Sequence, residues 1–282
     1  MDKFTYLNTN TKEKSASLGA LFPGWDGPNE RVMVYSPHDD DAILGAGYAI
    51  RAAIEDGAEV FLTIVCNGHC GYSHPEEKDI IVETRRKEAC ECYERFGIPK
   101  DHILRLEFPD FSALQYVGLF LDENKREGHF KKTITTLREN RITRILVPNH
   151  YHEHIDHYAA YMIGAYDVPQ AGDAILVDWA EPYTVKSTAQ YSVWAELDPE
   201  DAILAGRDIT LRASLVIAAD PSVEDKVIAG IKAFQSQASV IEDLVAQRAA
   251  RKLSDGRFIE CYLHLDPRPK FNFKPYKDLF SE

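Results

Sequence analysis

Two short stretches carry residues whose types and spacing could do chemistry. The first is Ser36-Pro37-His38-Asp39-Asp40-Asp41-Ala42-Ile43-Leu44-Gly45-Ala46-Gly47. It places one imidazole beside three adjacent carboxylates, which repel one another unless a cation offsets them. A solvated turn with one helix-capping Asp would need neither the His nor the other two acids. The second stretch is Asn149-His150-Tyr151-His152-Glu153-His154-Ile155-Asp156-His157, with four of the chain's ten His. Brought together, His38, His157 and Asp41 would offer two imidazoles and a carboxylate, with a position open for water. That is the donor set of a catalytic zinc site; a closed structural site would need a fourth protein ligand.

Both stretches are expected at strand ends. Residues 31–36 read as a buried strand and 41–56 as a helix with apolar residues at helical spacing, capped by Gly57. A second strand is predicted over 60–65, a helix over 76–96, a third strand over 102–107, a helix over 129–139 and a fourth strand over 144–147, ended by Pro148. This alternation predicts an α/β fold with a Rossmann-like, mainly parallel sheet flanked by helices. Ligands in such sheets bind at the carboxyl ends of the strands, so the two stretches share a crevice if their strands are neighbours.

The second half reads as more irregular. Strand-like pieces are expected at 174–177, 190–194 and 211–218, one helix from Asp220-Pro221 to about Arg251, and a last strand over 259–265. Residues 1–30 read as an irregular lead-in and 266–282 as an extended tail. The tail could pack on its own subunit or a neighbour, so a homo-oligomer is within expectation. The whole, 1–282, is read as a single α/β domain, with substrate selection expected in the loops 66–75, 108–128 and 170–200.

A net charge of −13 argues against nucleic acid and anionic membrane surfaces as partners. The five Cys include no C-x-x-C pair, which suits reduced thiols and a cytoplasmic location. No stretch has the apolar run of a signal peptide or a membrane span.

The pair His38-x-Asp40-Asp41 and His154-x-Asp156-His157 resembles the motifs of the LmbE-like, or PIG-L, zinc-dependent de-N-acetylases. Their first motif is typically Ala-His-Pro-Asp-Asp-Glu, after the first strand. Weaker similarities lie at Asn67-Gly68 with Gly71, Arg85-x-x-Glu88 before Phe96-Gly97-Ile98, Phe108-Pro109-Asp110, Lys232 with Ser236-Gln237, and Phe258-Ile259-Glu260. They extend the resemblance over most of residues 31–262.

The resemblance implies a metal-dependent hydrolase acting on a carbon–nitrogen bond. It would remove an N-acyl group, most often N-acetyl, from a glucosamine-type sugar or sugar conjugate. It implies that His38, Asp41 and His157 bind zinc and that Asp40 is the general base. It implies His154 as the cation that stabilises the oxyanion, held protonated by nearby carboxylates, and Asp156 as the group that orients an imidazole. Arg85 and Asp110 become substrate contacts; His69, His74 and His152 receive no role. Two departures stand out. Asp39 replaces the usual Pro and adds charge beside His38, and Ala42 replaces the usual Glu and removes a carboxylate behind the metal ligands.

Other readings are a zinc amidase acting on a thiol conjugate and a divalent-metal glycosyltransferase using Asp39-x-Asp41. The His cluster argues against the latter, because Mg²⁺ and Mn²⁺ prefer oxygen ligands. A non-enzymatic metal- or sugar-binding module would not need the retained Asp40.

Overall fold

The computed structural model describes residues 3–119, 127–200, 203 and 209–280. The extreme ends of the expected lead-in and tail, and residues 120–126 of the second expected specificity loop, lie outside the described residues. The strands are β1 (Phe4–Asn8), β2 (Lys14–Ser15), β3 (Arg31–Ser36), β4 (Glu59–Cys66), β5 (Ile103–Phe108), β6 (Arg144–Pro148), β7 (Ser187–Tyr191), β8 (Leu215–Ala219) and β9 (Phe258–Leu265). Among the described residues they form one nine-stranded mixed sheet in the order β2-β1-β8-β9-β7-β6-β3-β4-β5.

The strands from β7 through β6, β3 and β4 to β5 run parallel. The edge built from β9, β8, β1 and β2 is antiparallel. Strand β3 is the pivot. The chain leaves it toward β4 and β5 on one side, then returns to build β6 and β7 on the other. Such a reversal opens a crevice at the carboxyl ends of the two strands flanking it, here β3 and β6.

Among the described residues the main helices are α1 (Asp41–Glu55), α2 (Ile81–Phe96), α3 (Phe130–Glu139), α4 (Ile155–Met162), α5 (Pro221–Ile231), α6 (Ala238–Arg248) and α7 (Lys274–Asp278). Side chains alternate across the central strand, as the period of two requires. Val32 and Val34 pack into the core beneath α1, α2 and α5, while Met33 and Tyr35 pack beneath α3 and α4 on the other face. Gly45 of α1 lets the end of β7 come close, since a Cβ there would lie 2.6 Å from the carbonyl oxygen of Ser192. The loop after β7 is thereby brought to the start of α1.

Three expectations in the less regular parts are corrected. The residues read as a lead-in contain β1, which pairs along its whole length with β8. The predicted strand at 174–177 is a turn, because the Arg138 guanidinium draws in the carbonyls of Ala171, Asp173, Ile175, Leu176 and Ala180. The single predicted helix to Arg251 is two helices. Between them the chain turns so that Phe234 is buried and Ser236 donates to Glu88 from both its N–H and its hydroxyl. Among the described residues no helix is long and apolar enough to cross a membrane.

Candidate active site

Strands β3 and β6 are neighbours, so the two motifs meet at their carboxyl ends. Ser36, the last residue of β3, helps to start α1 by accepting the Ala42 N–H on its hydroxyl at 3.0 Å. The turn between them presents Asp41 to two imidazoles. Its Oδ2 lies 3.0 Å from Nδ1 of His38 and 3.2 Å from Nε2 of His157. The same oxygen accepts the His38 backbone N–H at 2.8 Å. One donor atom from each of His38, Asp41 and His157 falls within 4.8 Å of the others.

The fit to a metal rests on Nε2 of His157. It is buried and faces Asp41, yet makes no hydrogen bond. A buried polar atom without a partner is costly, and a cation accepted jointly by this nitrogen, His38 and Asp41 would remove that cost. The set contains two imidazoles and one carboxylate, which suits zinc better than magnesium or calcium. Other groupings are less apt. Asp156 is already committed to backbone N–H donors of Phe111 at 2.6 Å and Ala113 at 3.1 Å, and burial pushes the Cys66 thiol pKa up.

The charges of the cluster act strongly on one another. Burial disfavours charge throughout it. Even so, the imidazoles of His157 and His38 hold the Asp41 carboxyl well below its ordinary range. Against the same burial, hydrogen bonds to Asp156 and Asp41 raise His38 to about 10. Asp40 behaves in the opposite way: burial raises its carboxyl pKa in spite of the Arg85 guanidinium.

His154 is the N-cap of α4, and its Nδ1 accepts the Asp156 N–H at 3.2 Å. Burial, with His38 adding to it, lowers its pKa despite Asp156. This direction runs against the expectation that carboxylates hold it cationic. With Nδ1 accepting, the neutral ring presents its Nε2–H as the donor. Asp156 lies 3.3 Å from Nε2 of His38 through its Oδ2.

Arg85 and Asp110 border the cleft but are committed to protein partners. The Arg85 side chain is only 4% exposed; it donates from Nε to Asp39 and from Nη2 to Asp40, both at 3.1 Å. Asp110 accepts the backbone N–H groups of Gly68 at 2.9 Å and Cys70 at 2.8 Å. These contacts favour scaffolding over the expected substrate contact. Gly68 has a φ of +77°, and a Cβ there would sit 2.8 Å from Arg85 Nε, so glycine permits the arginine's approach. Asp39 does not add free charge to the centre, because Arg105 of β5 also donates to it, at 2.6 Å. That pairing removes a carboxylate which the glycosyltransferase reading requires. His69, without an assigned role, accepts the Asp110 N–H at 3.2 Å, and His152 is exposed and stacked on Tyr151.

The cleft has a volume of about 290 Å³ and is bordered by His38, Asp40, Asp41, His154, Phe111 and Trp194, among others. A second chamber of about 370 Å³ adjoins it, sharing Leu44, Trp194 and Leu244. The sequence reading missed Arg105, Phe111, Glu153 and Trp194. Of these only Glu153 carried a signal, its four-residue spacing from His157.

Comparison with known proteins agrees with this geometry. The family model described as PIG-L, GlcNAc-PI de-N-acetylase, matches residues 33–165, which include both motifs. Over that stretch the chain is similar to the PIG-L, or LmbE-like, de-N-acetylases. A diacetylchitobiose deacetylase of Thermococcus kodakarensis is 26% identical over 171 residues, a match that spans 57% of this chain and 60% of that protein. The fold is shared with N,N'-diacetylchitobiose deacetylase from Pyrococcus horikoshii, solved with its inhibitor MPG. That structure has a TM-score of 0.64 at 18% identity, covering 90% of this chain and 92% of the other. It is also shared with the 4-carboxy-2-hydroxymuconate hydratase GalB from Pseudomonas putida, at a TM-score of 0.59 and 18% identity, covering 86% and 99%. The fold therefore hosts more than one chemistry, and function has to be argued from the site.

Proposed function

We propose that this protein is a zinc-dependent N-deacetylase that hydrolyses the N-acetyl amide of a glucosamine-type sugar or sugar conjugate. The observation that carries the proposal is the buried Nε2 of His157, which makes no hydrogen bond and lies 3.2 Å from Asp41 beside His38 and the separate carboxylate of Asp40. His38, Asp41 and His157 would hold the zinc. Bound there, zinc supplies polarisation of the acyl carbonyl and acidification of a water.

The remaining work falls to the chain. Asp40 takes the proton from the attacking water and returns it to the leaving amine; a carboxyl with a raised pKa suits both directions of transfer. Arg85 fixes the Asp40 carboxylate by its 3.1 Å hydrogen bond and is itself fixed by Asp39. His154 donates Nε2–H to the oxyanion of the tetrahedral species, and as a neutral donor it needs no proton beyond the one it carries. Asp156 orients His38. Phe111 and Trp194, on opposite sides of the second motif in sequence, offer aromatic faces to the sugar.

The test is release of acetate from a panel of N-acetylated amino sugars and thiol conjugates, with metal content measured on the same protein. Zinc-dependent acetate release from an amino sugar supports the proposal. Release confined to a thiol conjugate would move the substrate class, and release insensitive to chelation would refute the metal mechanism.

A further inference from the structure

The first motif lacks the carboxylate that Ala42 replaces, yet the His157 ring is held by a carboxylate from the second motif. Oε2 of Glu153 lies 2.7 Å from Nδ1 of His157, and neither side chain has exposed surface. The pairing spans one helical turn into the start of α4, the spacing at which side chains meet. The other oxygen, Oε1, is wrapped by consecutive backbone donors. It accepts the N–H groups of Val193 at 2.9 Å, Trp194 at 3.1 Å and Ala195 at 3.0 Å, and the Ser192 hydroxyl at 3.1 Å. Successive N–H groups curled round one oxygen form an anion nest. The loop so fixed sets the Trp194 ring 4.8 Å from the His157 ring, at the boundary between the cleft and its neighbouring chamber.

We propose that Glu153 is a positioning residue that sets the tautomer and angle of His157 and, through its second oxygen, the wall carrying Trp194. The inference rests on reading His38, Asp41 and His157 as the metal centre. A carboxylate accepts only, so the His157 proton must sit on Nδ1, which leaves Nε2 with a lone pair aimed at the metal position. Asp156 does the corresponding work on the opposite side. It meets His38 at Nε2 and accepts the N–H groups of Phe111 and Ala113, and Phe111 packs on His154 with ring centroids 4.7 Å apart. Each carboxylate of the second motif thus joins one ligand imidazole to one aromatic wall.

Glu153→Gln separates the two tasks. Its carbonyl oxygen can keep the loop, while its amide N–H₂ facing Nδ1 would drive the His157 proton to Nε2 and block the ligand lone pair. Zinc affinity of the folded variant, measured by competition with a chromophoric chelator, should fall roughly 10- to 100-fold. Trp194→Ala, with Glu153 intact, should keep zinc affinity within about twofold and raise KM for an N-acetylated sugar more than it lowers kcat. Wild-type zinc affinity in a folded Glu153→Gln protein would overturn the inference and leave the metal centre standing. No zinc binding by the wild type would overturn both. A measurement independent of variant folding is the long-range ¹H–¹⁵N spectrum of the zinc-bound wild type. It should show His157 protonated at Nδ1, and protonation at Nε2 would also overturn the inference.

Discussion

The two ends of strand β3 both carry buried acids, and they are built differently. At the amino end Glu30 is paired with Arg144 of β6, and neither side chain has exposed surface. Arg144 donates to both Glu30 oxygens, to the carbonyls of Pro23 and Gly24, and to the Ser187 hydroxyl. Every guanidinium N–H has an acceptor, so nothing there is left for a ligand. At the carboxyl end, three acids and three imidazoles crowd together and the buried Nε2 of His157 has no hydrogen bond. Charges that satisfy one another mark the scaffold. Imidazoles and carboxylates that converge around a buried nitrogen without a hydrogen bond fit a cation instead.

If that contrast is right, substitutions at the two ends should fail in different ways. The largest effect is expected from Asp41→Ala. It should leave a folded chain without bound zinc and without metal-dependent turnover, checked by elemental analysis and circular dichroism. Undiminished zinc would return Asp41 to the scaffold class. Asp40→Asn comes next: zinc should stay, and kcat should fall by about 10²- to 10⁴-fold, the range for loss of a positioned acid–base group. Loss of the metal instead would exchange the roles of the two neighbouring acids.

Glu30→Ala should show the reverse pattern. Leaving Arg144 buried and unpaired should cost about 3–5 kcal/mol in denaturant unfolding, with zinc affinity of the folded fraction unchanged. The smallest effect is its pH dependence. Burial opposes ionisation of Glu30, but hydrogen bonds from Arg144, Thr143 and Lys186 lower its pKa from 4.5 to about 2. The folded value lies below the unfolded one, so this stabilisation is complete above the unfolded pKa and is lost as pH falls toward the folded pKa. The stability gap between wild type and Glu30→Gln should therefore narrow between about pH 5 and about pH 3. A constant gap would show that Glu30 acts by shape alone.

The same contrast explains what could be read from the sequence. Most of the parallel half was legible because β3, β4 and β6 are compact apolar runs separated by helices with their own period, whereas β7, Ser187–Tyr191, is largely polar in sequence and was expected at 190–194. In the antiparallel half β8 and β9 were legible as the strands expected near 211–218 and 259–265, but β1 was not, and the turns of the second half answer to distant side chains. Arg138 of α3 shapes the coil around residues 171–180, and Glu88 of α2 anchors the break before α6. In the site, His38, Asp41 and His157 were nameable as a donor set and Asp40, His154 and Asp156 through the resemblance; His38, Asp40, Asp41 and His154 border the cleft, with Asp156 and His157 buried against His38 and Asp41. Arg85 and Asp110 were nameable too, but not their partners. The acceptors of Arg85 are the very carboxylates of the first motif, and the donors to Asp110 are backbone N–H groups, which have no letter in a sequence. Glu153 was hidden for the same reason, since three of its partners are backbone.

The most direct test of the central claim combines metal and product on one sample. The purified protein, loaded with zinc and freed of excess, is given an N-acetylated glucosamine-type sugar, and acetate is followed before chelation, after chelation and after zinc is restored. The account predicts about one zinc per chain, the stoichiometry of a single two-His, one-carboxylate site. It also predicts acetate release that disappears with the metal and returns with it. Acetate release that survives removal of the metal, or a chain that binds no zinc at all, would contradict it.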